Sequence, residues 1–173
     1  MISSIKQFDL AFENAFGEIK INKHSLSNIS KERIRFNLGG DLHDVKSRVN
    51  QSLLRSKQIL TDCFKGEDTW LRITLWNHGE KDNLIKAGLK IDSTDVVLEE
   101  NIDGDDILVL YKNNYSESFF NTIILSNINY EIGETPSANF TCYFINFSIP
   151  VVVNIYDDRG IDIVTPSRRT KIN

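Results

Sequence analysis

The fold is decided by the stretch Val151-Val152-Val153-Asn154-Ile155-Tyr156-Asp157-Asp158-Arg159-Gly160-Ile161-Asp162-Ile163-Val164. On both sides of a compact charged turn, successive residues alternate between two unlike faces, which is the period-2 pattern of a β-strand. Asp157 at the first position of the turn and Gly160 at the fourth are typical of a type I turn closed by a glycine in the left-handed region. The stretch therefore predicts a β-hairpin near the C-terminus, and we expect it to lie in the centre of a sheet.

The rest of the chain supplies further strands and amphipathic helices. Alternating or continuous apolar runs predict six strands in all, near residues 33–38, 70–76, 106–112, 140–147, 151–156 and 161–164. Apolar residues at helical spacing predict a long helix over residues 41–64, with Asp41 as its N-cap, and shorter helices over residues 4–16, 82–88 and 116–127. Together these elements predict one α+β domain over residues 1–165, with helices packed on a mostly antiparallel sheet. Residues 166–173 are predicted to form a basic, flexible tail.

Size, charge and cysteine content narrow the functional classes. A chain of 173 residues can bury a core without disulfides or metal, and its two isolated cysteines suit a reducing cytosol. We expect no signal peptide, and no apolar run reaches the length of a membrane span. The net charge is −4 and residues 166–173 contribute +3, so residues 1–165 carry −7. We therefore predict a cytoplasmic protein with neither a membrane nor a nucleic acid as its partner, since phosphate contacts need clustered Lys and Arg.

Residue spacing reveals no catalytic, metal or cofactor site. The three histidines form no zinc-binding pattern with one another or with the cysteines. Cys63 and Cys142 fall on predicted apolar faces, where thiols are usually inert. Residues 39–41 lack the spacing of a phosphate-binding loop, and residues 101–106 are not followed by the acidic ligand that closes a calcium loop. We predict no catalytic residue, no metal and no cofactor.

The most acidic part of the chain lies between residues 92 and 106. This acidic segment has no basic residue and seven acidic ones: Asp92, Asp95, Glu99, Glu100, Asp103, Asp105 and Asp106. Val96–Leu98 within it allow a short strand. A solvated loop is the simpler explanation of such a charge run, but concentrated negative charge also steers a basic partner and accelerates its association. We predict that these seven residues form a partner-binding surface.

The turn of the opening hairpin is the alternative site. Paired carboxylates can carry out acid–base catalysis. Adjacent carboxylates on a tight turn are expected to point apart and remain solvated, however, with Asp157 binding turn amides and Arg159 pairing with a carboxylate such as Asp162. If the turn has a chemical function, we expect it to act in a cleft formed by Arg35, Tyr156, Asp157, Asp158, Arg159 and Gly160.

Three segments together resemble a bacterial family that is known only as a domain of unknown function. The segments are Arg35-Phe36-Asn37-Leu38-Gly39, then Arg55-Ser56-Lys57-Gln58-Ile59-Leu60 with Phe64, and lastly Tyr156-Asp157-Asp158-Arg159-Gly160. The family has Glu where this chain has Asn37, and Ala where it has Ser56. The resemblance implies no established catalysis. As a class, small acidic α+β proteins of this kind are also similar to the immunity proteins of contact-dependent growth inhibition systems.

The resemblance implies a binding protein rather than an enzyme. Our first hypothesis is a cytosolic immunity protein that binds a cognate bacterial toxin, such as a basic nuclease, and neutralises it by covering its surface. The alternative is a small cytosolic enzyme or ligand-binding module that uses the Tyr156–Gly160 turn, for which we expect a concave pocket beside that turn. A third hypothesis is a plain structural or regulatory subunit.

Overall fold

A seven-stranded antiparallel sheet forms the middle layer of the computed structural model, which describes residues 2–17, 19, 21, 26, 33–40 and 42–166. Within these residues the strands are β1 (Ile34–Asn37), β2 (Thr69–Leu75), β3 (Val96–Ile102), β4 (Asp105–Lys112), β5 (Phe140–Asn146), β6 (Val151–Ile155) and β7 (Gly160–Val164). Their order across the sheet is β1-β7-β6-β5-β2-β4-β3. The predicted α+β class is confirmed. The opening hairpin consists of β6 and β7, which lie between the centre of the sheet and its β1 edge.

Helices cover both faces of this sheet. Those described are α1 (Ile5–Phe16), α2 (Val45–Phe64), α3 (Glu80–Lys86) and α4 (Glu117–Ile132), with a short 3-10 turn at Ile91–Ser93. Helix α1 packs on one face, whereas α2, α3 and α4 pack on the other. Successive side chains of β5 point to opposite faces of the sheet. Tyr143 and Ile145 belong to the core under α1, whereas Phe144 contacts Phe120 of α4 on the other face.

The first helix follows directly from its sequence. The Ser4 hydroxyl caps it by accepting the N–H of Gln7 at 3.2 Å, and the chain leaves the helix at Gly17, whose φ of 69° favours glycine. Phe8, Phe12 and Phe16 recur every four residues on the face that points to the sheet, and all three are buried. These three rings provide most of the side chains that α1 contributes to the core between itself and the sheet.

The long helix begins later than predicted. It starts at Val45 rather than at residue 41, because the carboxylate of Asp44 accepts the N–H of Ser47 at 2.7 Å and so caps the helix. The hydrogen bonds from Ser47 also lower the pKa of Asp44. The predicted cap, Asp41, lies outside the described residues. Two aspartates three residues apart are both suitable caps, and the sequence pattern alone does not choose between them.

Strand β3 is absent from the six predicted strands, although the sequence allowed a short strand at Val96–Leu98. It runs through the acidic segment and pairs with β4 across a two-residue turn, with Ile102 opposite Asp105. Asp103 and Gly104 in this turn have φ values of 53° and 89°, as a type I′ turn requires. The Asp-Gly pair is a strong hairpin signal, but the density of acidic residues around it favours a loop interpretation.

The last helix extends one turn further than the predicted residues 116–127. Its final turn contains polar residues that break the apolar pattern, yet the side chains of Asn127 and Asn129 are buried. Each uses its amide as a donor to a backbone carbonyl, Asn127 to Phe140 at 3.4 Å and Asn129 to Pro136 at 3.0 Å. These tertiary hydrogen bonds offset the cost of burying the two amides. The local sequence pattern does not show such bonds, so it predicts that the helix ends where the polar residues begin.

Two remaining predictions concern the chain's end and its relation to membranes. Of the predicted basic tail, residues 167–173 lie outside the described residues. Among the helices that the structure does describe, none has the length and apolar character that crossing a membrane requires.

The packing of α1 predicts a contrast between two positions on that helix. Phe12→Ala removes a ring that is 1% exposed and should lower the free energy of unfolding by about 3–5 kcal/mol. Leu10→Ala, at a side chain that is 57% exposed, should change it by less than about 0.5 kcal/mol. Urea denaturation of both variants checks the contrast. Equal effects would show that α1 does not bury its aromatic face on the sheet.

Candidate functional site

The turn between β6 and β7 is docked on the loop between β1 and α2. The backbone N–H of Leu38 donates to the carbonyl of Arg159 at 2.9 Å, and that of Gly39 donates to the carbonyl of Asp158 at 2.7 Å. These bonds continue the β1–β7 pairing beyond its last strand pair, Asn37 with Gly160. The turn is therefore part of the sheet's framework rather than a free tip.

Asp157 organises the turn from inside. Its carboxylate accepts the N–H of Arg159 at 2.7 Å and that of Gly160 at 3.2 Å, as expected for an aspartate that binds turn amides. The same carboxylate pairs with the Arg159 guanidinium, which raises the pKa of Arg159. Two expectations were wrong: Asp157 is 2% exposed rather than solvated, and Arg159 pairs with Asp157 rather than with Asp162.

Gly160 is required for a different reason than predicted. Its backbone is not in the left-handed region, so turn conformation alone does not demand glycine. Instead, a Cβ at this position would overlap the ring and hydroxyl of Tyr156, which lies directly over it. The glycine allows the tyrosine ring to pack against the backbone at the start of β7.

Asp158 joins the turn to α2. Its carboxylate accepts the Nε of Arg48 at 2.7 Å and also contacts the Nη2 of that residue, while its backbone carbonyl accepts the Ser52 hydroxyl at 2.6 Å. Asp158 is 2% exposed, so it too departs from the predicted solvated state. A Cβ on Gly39 would come within 2.8 Å of the Asp158 carbonyl oxygen and 3.0 Å of the Ser52 Oγ. Glycine is therefore needed where the loop, the turn and the helix meet.

Helix α2 also binds the loop directly. The Gln51 side-chain amide donates to the carbonyls of Leu38 and Gly39, each at 3.0 Å. Arg55 donates to the carbonyls of Asn37 at 3.1 Å and of Leu38 at 2.8 Å. All three segments that carry the family resemblance thus contribute residues to one place, although they are far apart in the sequence.

A second arginine–carboxylate group lies on the α1 side of the sheet. Asp162 is fully buried, with the Nε of Arg35 at 3.1 Å and the Nε of Arg33 at 3.2 Å. The hydrogen bond to Asp162 raises the pKa of Arg35, whose guanidinium lies 5.0 Å from the centre of the Tyr156 ring. Burial raises the pKa of the Tyr156 phenol. This group fastens the edge strand β1 to β7 through its side chains.

The arrangement around the turn favours a structural role for its charged groups. Each of the three carboxylates has an arginine partner inside the chain, and the polar backbone groups of the turn are bonded to the neighbouring loop and helix. Arg35, Tyr156, Asp157, Asp158, Arg159 and Gly160 do lie together, as predicted. What they form is a packed junction, which we call the turn junction, and its inward-facing groups are occupied with one another.

The acidic segment follows the opposite edge of the sheet from β1. Strand β3 is the last strand in the sheet order, and β4 is its neighbour there. Asp92, Glu99 and Asp103 are exposed along this edge, with Glu99 paired to Lys81 of α3. Asp105, opposite Ile102 at the start of β4, is half-buried. The segment is thus spread along a strand and its turn rather than gathered in one cluster.

Three of the seven predicted binding residues accept hydrogen bonds from other parts of the chain. Glu100 accepts the N–H of Ile5 at 3.0 Å and so supports the start of α1. Asp95 accepts the N–H of Asn113 at 2.7 Å. Asp106 accepts the side chain of Asn101 at 2.6 Å, and this bond lowers the pKa of Asp106. These contacts reduce the part of the segment that is available for a partner.

A cleft of about 580 Å³ lies at the other end of the sheet from the turn. Its wall includes Trp70 from the start of β2, Tyr111 from the end of β4 and Phe147 after β5. None of its lining residues belongs to the turn, whereas the alternative hypothesis expected a pocket beside it. The sequence signal for this cleft is weak, because its aromatic residues come from β2, from β4 and from the residue that follows β5.

The remaining candidates for chemistry are the cysteines and histidines. Burial raises the pKa of the Cys63 and Cys142 thiols, and the prediction placed both on apolar faces. His78 contacts Asp106 at 3.1 Å. In the part of the chain that the structure describes, no group of three His, Cys, Asp or Glu side chains is arranged to hold a metal ion.

Two buried serines on α2 provide a matched test of the turn junction. Ser52→Ala removes the hydrogen bond to the Asp158 carbonyl and should lower the free energy of unfolding by about 1–2 kcal/mol. The Ser56 hydroxyl is equally buried but has no hydrogen-bond partner, so Ser56→Ala should raise that free energy by up to about 1 kcal/mol. Chemical denaturation measures both. Equal losses would mean that the Ser52 bond contributes nothing specific.

Two arginines of the turn junction should differ in importance. Arg48→Met leaves the buried carboxylate of Asp158 without its partner and should lower the free energy of unfolding by about 3 kcal/mol. Arg159→Met removes a guanidinium whose side chain is 74% exposed, and Asp157 keeps its two backbone donors, so we expect less than about 1 kcal/mol. Thermal and urea unfolding should rank the variants in this order; the reverse order would contradict the assigned geometry.

Comparison with known proteins addresses the family. Residues 8–171 match the family described as Domain of unknown function (DUF3885). No curated protein and no solved structure matches the chain. A family of unknown function is what the resemblance implied, while the similarity to immunity proteins stays a prediction. Because the match covers nearly the whole chain and includes every strand described above, the chain belongs to the DUF3885 family.

Proposed function

We propose that this protein is an immunity protein, which binds a cognate bacterial toxin through the β3 edge of its sheet and neutralises it by covering its surface. The binding surface consists of the outer side of β3 with Asp92, Glu99 and Asp103, and we call it the acidic edge. The proposal is carried by one observation: exposed residues of the most acidic segment lie on a terminal strand of the sheet and in the turns at its two ends.

A terminal strand offers two kinds of interaction to a protein partner. Its outer backbone N–H and C=O groups can pair with an added strand, which is a recurring mode of recognition. The carboxylates beside that backbone attract a basic surface and orient it during approach. Val97, which is 41% exposed on the same strand, adds an apolar contact. Together these features suit a basic protein such as a nuclease toxin.

The geometry of the turn junction also favours binding over the alternative. An enzyme or ligand module at the turn would need its carboxylates to face a ligand, but Asp157 and Asp158 are buried against arginines of the same chain. The turn junction therefore supports the fold that carries the acidic edge. The free, unbridged Cys63 and Cys142 are consistent with the cytoplasmic location that we propose.

Neutralising the acidic edge tests the proposal. The triple variant Asp92→Asn, Glu99→Gln and Asp103→Asn removes three charges but spares Glu100, which supports α1, and keeps a residue at position 103 that tolerates its positive φ. The probe is the C-terminal domain of a toxin encoded immediately upstream of this protein's gene. We expect the association rate measured by surface plasmon resonance at low salt to fall about tenfold, with little change in the dissociation rate.

A matched control carries the same change in charge away from the β3 edge. Asp62→Asn, Glu131→Gln and Glu134→Gln lie on or next to α2 and α4 and should leave the association rate unchanged. If both triple variants behave alike, the acidic edge is not the binding surface. If the unaltered protein neither binds the toxin domain nor protects cells that produce it, the immunity proposal itself is wrong.

A further inference from the structure

The cleft at the far end of the sheet has the dimensions of a small-molecule site. Its volume of about 580 Å³ falls within the range of roughly 300–1,000 Å³ that is common for ligand pockets. It opens between Ile2, ahead of α1, and the ends of β2, β4 and β5. Neither the turn junction nor the exposed residues of the acidic edge line it.

Aromatic rings form one side of the cleft. The centre of the Trp70 ring lies 4.6 Å from that of Tyr111 and 6.2 Å from that of Phe147. Phe8 of α1 packs behind them, with its ring centre 5.6 Å from both Trp70 and Phe147. Phe8 is fully buried, and its contacts with Trp70 and Phe147 hold those rings in place, while the rings of the cleft themselves remain partly exposed. Aromatic faces fixed in this way attract cations through their quadrupoles.

Two carboxylates face the same space. Asp68 accepts the Tyr111 hydroxyl at 2.7 Å and the N–H of Asn114 at 3.3 Å, and Asp95 is oriented by the N–H of Asn113. The bond to Asp68 raises the pKa of Tyr111 to about 12, so the phenol is a neutral donor at pH 7. A carboxylate has about four acceptor positions, which leaves capacity on both groups.

The charged residues that line the cleft are all acidic. Among its described lining residues there are two carboxylates and no Lys, Arg or His. An anion would meet like charge there, and a neutral apolar ligand would leave the remaining acceptor positions of the two carboxylates unused. A cation with apolar substituents satisfies both parts of the wall, because its charge lies near Asp68 and Asp95 while its alkyl groups contact the rings.

We propose that this cleft is a binding site for a small organic cation that carries an alkylated ammonium group. The inference does not depend on the proposed function: the cleft adjoins the acidic edge at Asp95 and Val96, but Asp92, Glu99 and Asp103 do not line it.

The test uses choline as the probe and 3,3-dimethylbutan-1-ol as its neutral isostere. The chain has two tryptophans, so the variant Trp76→Phe leaves Trp70 as the fluorescent reporter inside the cleft. We expect a saturable change in Trp70 fluorescence with choline, at a Kd about tenfold lower than for the neutral isostere. A Kd equal for both compounds, or no saturable change with choline, overturns the proposal.

Carboxylate variants separate this site from general attraction to an acidic protein. In the same background, Asp95→Asn keeps an oxygen for the N–H of Asn113 and should raise the Kd for choline about fivefold, and the Asp68→Asn, Asp95→Asn double variant should raise it further. Asp92→Asn makes the same change in charge outside the cleft and should leave the Kd unaltered. An equal rise for Asp92→Asn and Asp95→Asn would contradict a defined cation site.

Discussion

The structure depends on the contact between the Asp158 backbone carbonyl and the chain around residue 39. One oxygen atom accepts a loop N–H from Gly39 and a helix hydroxyl from Ser52, while the carboxylate of the same residue binds Arg48. A buried carbonyl and a buried carboxylate are costly unless they are fully bonded, so these partners must be present together. Strand β1, the start of α2 and the β6–β7 hairpin are consequently held as one unit.

Much of the fold follows from local sequence signals, and the departures have physical causes. The alternation of Val151 to Ile155 and the spacing of Phe8, Phe12 and Phe16 identify elements whose buried faces repeat at a fixed period. Strand β3 packs only Leu98 and Ile102 against a core, with Glu100 between them, so the Asp-Gly turn at residues 103 and 104 is its clearest sequence signal. Local patterns report periodic burial, and a strand whose buried face is interrupted by charged residues shows little of it.

The candidate sites were harder to predict than the strands. The spacing in the Tyr156–Gly160 segment explains why Asp157 binds turn amides. It does not predict that Arg48, 110 residues away in the sequence, pairs with Asp158. The same is true of the cleft, whose rings meet only after β2, β4 and β5 are aligned. Contacts between residues distant in sequence decide whether a charged group is solvated, bonded internally or available to a ligand.

Gly39 also determines how β1 is aligned with β7. The strand is four residues long and exposed along its length, so its side chains alone specify the pairing weakly. A shift by one residue would place the Leu38 or Gly40 position against the Asp158 carbonyl, and Leu38 would bring a Cβ to within about the 2.8 Å that only glycine accommodates. The same shift would separate Arg35 from Asp162. Gly39 therefore excludes the slip that brings Leu38 to this position, and the Arg35–Asp162 pair disfavours slips in both directions.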